Sequence, residues 1–398
     1  MDYDKFIFER TKDGALRILK PIASKNSVSI RIAGKEYIDF SSNDYLGLSR
    51  HPEMIQAATQ AAEKYGTGSG GSRLLSGDSE LFHELEDSTA KFKGKEVSLV
   101  FNSGYQANIG IISSLLSKED TVFFDRLCHA SIVDGIMMSG ARFHRFKHND
   151  TRQLEELLKK ENTKKPLIIT ESVFSMDGDI APLKELVKVK NKYGASLMVD
   201  EAHATGIFGK NGSGIVEELG LSDEVELIMG TFSKALGSCG AYIACSKKIR
   251  QYLINSCRSF IYSTALPPAV VACNLRSMEL VKKEPQRRKK LLENAEYFGG
   301  ILAEKGFVTP GCGGFKTRRY TQIIPLIMGE NSRAISLSER LKASGIWALP
   351  IRYPTVPKGQ ARVRFSVNWG HMEQMLDKVI DVIASEAKQS IKSANETM

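Results

Sequence analysis

The chain has 398 residues, 42% hydrophobic and 25% charged, with 33 Gly and 12 Pro; this is an ordinary globular composition, and it excludes collagen, coiled coil and wholesale disorder. Lys and Arg outnumber Asp and Glu by 55 to 46, which permits an anionic partner, but the charges are scattered and form no basic arm, so no nucleic-acid partner is expected. A chain of this length allows two or three domains at about 150 residues each.

The N-terminal stretch MDYDKFIFERTKDG alternates charges where a signal peptide needs an apolar run. No segment approaches the roughly 18 apolar residues of a membrane span, so a cytoplasmic chain without a membrane partner is expected. SIRIAGKEYIDF predicts a hairpin around Ala33-Gly34-Lys35, and residues 1–60 are expected to pack with a C-terminal unit. From about residue 97 to 245 the β-rich runs VSLVF, TVFF, RFHRF, PLIITE, SLMVD, ELIMG and AYIAC alternate with amphipathic stretches. That alternation is the mark of a mainly parallel sheet between helices, so the fold class is α/β, with a large three-layer αβα domain over residues 61–285. Beyond Pro267-Pro268 a long polar helical segment leads to TQIIPLI, NSRAISLSERLKASG, WALPI, ARVRFSV and a last helix from about His371, which predicts a small α+β domain over residues 286–398. Arg287 to Lys290 reads as a solvated helix face. The six cysteines show no C-x-x-C and read as reduced, mostly buried thiols, and His144 and His148 lack a carboxylate or cysteine partner in pattern, so no metal is expected.

The chemistry-bearing residues stand at strand exits, where open α/β sheets gather their ligands. Asp200-Glu201-Ala202-His203 follows SLMV, and Lys234 lies among small residues in GTFSKALG after the next strand. Pyridoxal 5'-phosphate (PLP) needs such a pair: a lysine for its Schiff base and a carboxylate to keep its pyridine nitrogen protonated. It also needs a flat group over the ring and donors for its phosphate. His129 follows TVFF and opens a helix, which suits a stacking imidazole. Ser103-Gly104-Tyr105 follows VSLVF and opens another, whose free N–H groups attract an anion.

With FNSGYQAN, DRLCHAS, ESVFSMDGDIAPL, VDEAHATG, GTFSKALG and IYSTALPP in this order, the sequence resembles the α-oxoamine synthases, which are fold-type I PLP-dependent transferases. The match covers about 330 residues, from SSNDYLGL to RVRFSV. The resemblance implies these roles: Lys234 for the Schiff base, Asp200 for the pyridine nitrogen, His203 for the phenolic oxygen, and His129 for stacking. It implies Gly104 and Tyr105 for the phosphate, Thr231 and Ser175 near the cofactor, and Ser263 and Thr264 as a phosphate contact supplied by the other subunit of a homodimer. Asn43 and Arg364 match the groups that bind the amino-acid carboxylate, although Arg362 shares their strand face and periodicity does not choose between the two arginines. Arg17 and Thr355 match acyl-substrate positions. GSGGSRLLSG, RFKHND, and QIIPLIMGENSRA with IRYPTVPKG resemble the branch that condenses L-alanine with a pimeloyl thioester. Glycine C-acetyltransferase and serine palmitoyltransferase are the sister readings, and a basic regulatory protein on a decayed enzyme fold is the reading of another class.

Overall fold

A computed structural model describes residues 2–161, 163, 165–307 and 319–396, with side chains as far as Ser385. Cys312 and Lys316 to Arg318 lie outside the described residues. The chain divides into two compact units, one made of Leu48–Phe174 and Ile180–Arg288, the other of Met1–Gly47, Ser175–Asp179 and Lys289–Met398. The divisions fall at 47/48 and 288/289, against the expected 60/61 and 285/286. Helix Pro52–Tyr65 belongs to the larger unit because its buried Met54 and Ala61 pack along helix Pro268–Lys283.

The larger unit is built on a seven-stranded sheet in the order Val97–Phe101, Ala241–Cys245, Leu227–Thr231, Ser196–Asp200, Leu167–Glu171, Thr121–Asp125, Arg142–Phe146. Only Ala241–Cys245 runs antiparallel to its neighbours. Alternation decides what each face holds. Leu99, Val122, Phe124, Ile169, Met198 and Ile243 join one buried cluster with helices Gly104–Leu115, Ala130–Ser139 and Lys247–Ser256. On the other face Phe123, Ile168, Leu197, Val199 and Ile228 are as fully buried. A sheet covered on both sides requires such continuous apolar runs, and this is the expected three-layer α/β arrangement.

The smaller unit holds a four-stranded sheet ordered Ser24–Lys25, Ser29–Ile32, Lys35–Asp39, Ile346–Trp347 and a three-stranded one ordered Ile323–Gly329, Ala361–Ser366, Pro350–Ile351. The expected hairpin turns at Ala33 and Gly34 with φ of 48° and 77°; two successive positive φ values define the tight turn whose twist matches its strands. The WALPI run is split, its two ends pairing in different sheets. The expected solvated face at Arg287 to Lys290 fails at Arg288, which is buried and donates to the carbonyls of Val281 and Lys210 (2.9 Å to the latter). His144 pairs with Glu161 at 3.1 Å and His148 with Asp125 at 3.0 Å. Among the described cysteines, Cys128, Cys245 and Cys257 are buried, Cys273 is half-buried and Cys239 exposed, all as free thiols. Among the described residues no helix is long and apolar enough to cross a membrane.

His371 ties stability to pH in the smaller unit. Its Nδ1 accepts from the Asn368 N–H (3.1 Å), its Nε2 faces the Asp39 carbonyl (3.2 Å), and its ring lies against Phe40. Burial pushes its pKa down to about 4 from an ordinary 6.5. As pH falls below 6.5 the unfolded chain takes up a proton that the folded chain refuses until about pH 4, so stability declines through that window and levels off below it. The loss should be on the order of 3 kcal/mol. Melting curves of wild type and His371→Gln between pH 7 and 4 check this: the variant should start lower and fall less steeply, and equal slopes would contradict it.

Candidate active site

Adjacent strands of the larger unit end together in polar residues: Asp125, Glu171, Asp200 and Thr231, with Glu171 and Asp200 side by side in register. The turn after Asp200 is pinned from below. Glu201 is fully buried, and its Oε2 takes the Lys93 ammonium at 2.9 Å while its Oε1 accepts the Val216 N–H at 3.0 Å. Lys93 also donates to Thr205 Oγ1 (3.0 Å) and to the Ser213 carbonyl. An ion pair this deep is viable only because every donor and acceptor is used. Above it, Asp200 Oδ1 accepts the Ala202 N–H (2.8 Å), and Oδ2 accepts from Asn108 Nδ2 (2.9 Å).

A cavity of about 160 Å³ opens over this edge, lined by Gly104, Tyr105, His129, Asp200, His203, Thr231 and Lys234 among others. Its volume is of the order that accepts one aromatic ring. Lys234 Nζ lies 2.8 Å from His203 Nε2. Thr231 Oγ1 donates to the Gly240 carbonyl (2.7 Å) and accepts the Ser233 N–H (3.1 Å), which shapes the loop that carries the lysine. His129 caps helix Ala130–Ser139, its Nδ1 meeting both the N–H (3.3 Å) and the Oγ (2.8 Å) of Ser131. Desolvation of its ring lowers its pKa, and the Lys234 charge adds to the effect against the pull of Asp200 and Asp134. Tyr105 stands edge-on to that ring and donates to Asp134. Ser103 spends its Oγ on the Gln106 N–H (3.2 Å), so the N–H groups of Gly104 and Tyr105 stay open to a ligand at the helix start.

Glu171, Asn108, Ser131 and Ser233 also line this cavity, and sequence reasoning passed over them. Glu171 Oε1 accepts the His129 main-chain N–H at 2.6 Å. Burial, and then the neighbouring Asp200 charge, push its pKa up to about 8. Only their position inside the quoted motifs could have singled them out.

Other expected residues lie elsewhere. Ser103, Ser175, Ser263 and Thr264 do not line the cavity. Ser263 Oγ accepts from Gln106 Nε2 (2.5 Å), and the Thr264 carbonyl accepts from Asn102 Nδ2 (2.7 Å) while its side chain is exposed. In the smaller unit the Ser175 carbonyl accepts from Arg364 Nε at 2.6 Å. The rest of the Arg364 guanidinium meets Asn43 Oδ1 (3.2 and 3.3 Å), the Tyr45 hydroxyl (3.1 Å) and Ser366 Oγ (3.0 Å). All these partners are neutral, so a buried cation stands without a counter-ion among the described residues, a costly state that an incoming carboxylate relieves. Arg362 is already spent on Asp177 at 2.6 Å, which separates the two arginines that periodicity left equal.

The same unit contains a second cavity, of about 550 Å³, walled by aliphatic side chains such as Leu16, Ile18, Ile335 and Ile351. Arg17 and Arg352 also line it, and Arg17 Nη2 donates to Thr355 Oγ1 at 2.9 Å. Burial and then the charge of Arg17 lower the pKa of Arg352. Two guanidiniums with no carboxylate partner among the described residues, over an apolar wall, suit an aliphatic chain with an anionic end.

The first cavity offers an amine at Lys234, an acid at Asp200, a flat ring at His129 and open N–H groups at Gly104 and Tyr105, so its donor set fits PLP. The comparisons with known proteins agree. The profile of the aminotransferase class I and II family matches residues 35–383. An 8-amino-7-oxononanoate synthase of Geobacter sulfurreducens is 45% identical over 381 residues, 95% of this chain and 96% of that protein. Among solved structures, a serine palmitoyltransferase from S. paucimobilis with bound PLP superposes with a TM-score of 0.90 at 32% identity, covering 97% of this chain and 98% of that one. An 8-amino-7-oxononanoate synthase from Francisella tularensis superposes with a TM-score of 0.78 at 30% identity, over 89% and 99%. With a family profile spanning most of its length and relatives alike from end to end, the chain belongs to the aminotransferase class I and II family and, inside it, to the α-oxoamine synthases.

Proposed function

We propose that this chain condenses L-alanine with a pimeloyl thioester, carried on CoA or on a carrier protein, to give 8-amino-7-oxononanoate, the free thiol and carbon dioxide. The observation that carries the choice of acyl group is the pair Arg17 and Arg352, hydrogen-bonded to Thr355 and the Gly14 carbonyl but without a carboxylate partner among the described residues, at a cavity with aliphatic walls: a pimeloyl chain is aliphatic and ends in a carboxylate. The relatives named 8-amino-7-oxononanoate synthase support it.

Bound PLP supplies an electron sink for the charge left on the α carbon of the amino acid. Lys234 would anchor the cofactor, and its Nζ, once freed by the amine of the amino acid, would take the α proton. Asp200, oriented by Ala202 and Asn108, would keep the pyridine nitrogen protonated; His203 would donate to the phenolic oxygen; Thr231 shapes the lysine loop; His129 would cover one face and exclude water. Arg364 with Asn43 grips the alanine carboxylate, and Ser175 holds the arginine through its carbonyl. Arg17 with Thr355 takes the far end of the acyl chain. The α carbon bonds to the acyl carbonyl carbon, the C–S bond breaks and the departing thiolate takes a proton from solvent, the alanine carboxylate leaves as carbon dioxide, and Lys234 returns its proton to the α carbon.

A matrix of alanine, glycine and serine against acetyl, pimeloyl and palmitoyl thioesters, with products identified by mass, tests the reading. Alanine with the pimeloyl thioester should turn over fastest; a faster glycine–acetyl or serine–palmitoyl pair would move the chain to a sister activity. Within it, Arg364→Lys should raise the KM for alanine about ten- to hundredfold, the worth of charge-assisted bonds to a carboxylate. Arg362→Lys should leave that KM unchanged.

The acting unit in this reading is a homodimer. The loops at 69–72 and 263–265 are joined by Ala265 N–H to the Gly71 carbonyl (2.9 Å) and by a bridge between Ser72 and Thr264. Leu75 and Tyr262, just outside these two loops, are exposed by 84% and 72%, on a surface that suits a second copy. Ser263 and Thr264 then complete the phosphate cup of the other copy. Mixing a Lys234→Ala chain with a Ser263→Ala/Thr264→Ala chain puts both lesions in one site of each mixed dimer and none in the other. About a quarter of wild-type activity should return, because half the dimers are mixed and half their sites intact. No gain on confirmed exchange would remove the shared site.

A further inference from the structure

The carboxylate of Asp200 and the imidazole of His129 are joined through Asn108, which orients the carboxylate, and Ser131, which has no part in the reaction scheme. Asn108 Nδ2 lies 2.9 Å from Asp200 Oδ2 and 3.0 Å from Ser131 Oγ, and Ser131 Oγ lies 2.8 Å from His129 Nδ1. The polarity of this chain is fixed by elimination. A carboxylate oxygen only accepts, so Asn108 must turn its amide nitrogen toward Asp200; turned the other way, Oδ1 would face Oδ2. Both N–H bonds of that nitrogen are then spent, one on Asp200 and one on Ser131. The Ser131 main-chain N–H points to His129 Nδ1 at 3.3 Å, which makes that atom an acceptor, so the Ser131 hydroxyl, which accepts from Asn108, turns its own proton to it as well. The proton of a neutral His129 therefore sits on Nε2. Asn108 and Ser131 are buried at 1% and 0% exposure, and Asn108 Oδ1 has no hydrogen-bond partner among the described residues, so among them the amide is held by its two donations.

We propose that Asn108 and Ser131 are positioning residues that transmit the orientation of Asp200 to His129, fixing the imidazole as the Nε2–H tautomer so that it stacks flat and presents a hydrogen-bond donor to the bound amino acid. This deepens the reading given under Proposed function and rests on it. An imidazolium carries a proton on Nδ1, which would face the fixed Ser131 main-chain N–H and oblige the hydroxyl to turn from donor to acceptor, so the chain also opposes protonation of the ring. The other groups that face His129 are Lys234, Asp134, Glu171 at its main-chain N–H, and the Tyr105 ring edge; Ser131→Ala changes none of them.

In the holoenzyme, Ser131→Ala should lower kcat/KM for alanine about tenfold, the worth of one buried hydrogen bond. It should also move the acid limb of the pH profile to higher pH, and Ser131→Thr, which keeps the hydroxyl, should restore both. Asn108→Ala should shift the acid limb the same way and in addition alter the visible absorbance of the bound cofactor, because Asp200 loses a donor. An acid limb unmoved in Ser131→Ala, or a loss confined to melting temperature, overturns the proposal. So does a proton on Nδ1 of His129 in wild-type holoenzyme labelled with 15N-histidine, a measurement that needs no variant to fold. Borohydride reduction run alongside keeps the two claims apart: wild type that takes no label on Lys234 overturns the cofactor reading and this inference with it, whereas labelled Lys234 with an unmoved acid limb overturns the inference alone.

Discussion

Lys234→Ala is expected to abolish measurable turnover and to leave the cofactor unlinked, while the melting temperature stays within a few degrees of wild type. The fold tolerates the change because Lys234 is half-buried on a loop whose shape is set by Thr231, Ser233 and the Gly240 carbonyl rather than by the ammonium. The chemistry does not tolerate it, because one atom is asked to do two things. Nζ is the covalent anchor and also the base for the α proton, and proton transfer by a positioned group is alone worth roughly 10² to 10⁴ in rate. Reduction with borohydride followed by peptide mapping should find a phosphopyridoxyl group on Lys234 in wild type and on no lysine in the variant. A label on any other lysine would reassign the anchor.

Asp200→Asn should retain part of the cofactor and lose roughly two to four powers of ten in kcat, the range that a positioned proton or charge supplies. The substitution keeps the volume of the side chain and removes its charge, so the pyridine nitrogen is no longer held protonated. It also reverses a hydrogen bond: whichever oxygen becomes the amide nitrogen then faces either the Ala202 N–H or Asn108 Nδ2, both donors. Cofactor content by absorbance and kcat with saturating alanine check the two parts separately. Near-native turnover would remove the role of Asp200.

The strand exits were legible because an apolar run that ends in Asp, or is followed by a loop bearing Lys, is a one-dimensional pattern; Asp200, His203, His129 and Lys234 all reach the same cavity. Asn108 and Ser131 were not, because a polar residue inside a helix carries no periodic signal, and Glu171, which closes its strand as Asp200 does, has no lysine loop or histidine beside it in the sequence to mark it. What gives Asn108 a purpose is Asp200, 92 positions further along. Arg362 has a counter-ion in Asp177, which no spacing rule connects to it, and Arg364 has only neutral partners among the described residues. Ser263 and Thr264 rested on resemblance alone, and within one chain their neighbours are Gln106 and Asn102.

The four-stranded sheet of the smaller unit has a consequence for how the chain is made. Its hairpin, Ser29–Ile32 with Lys35–Asp39, is translated some 300 residues before its parallel partner Ile346–Trp347. At ribosomal rates of about 5 to 20 residues per second that interval is on the order of 15 to 60 seconds. Throughout it Ile30 and Tyr37 lack the Trp347 ring that they pack against, and the outer edge of Lys35–Asp39 stays open to any passing strand. Nascent chains thus carry an open hairpin edge for the whole interval before Ile346–Trp347 can cover it.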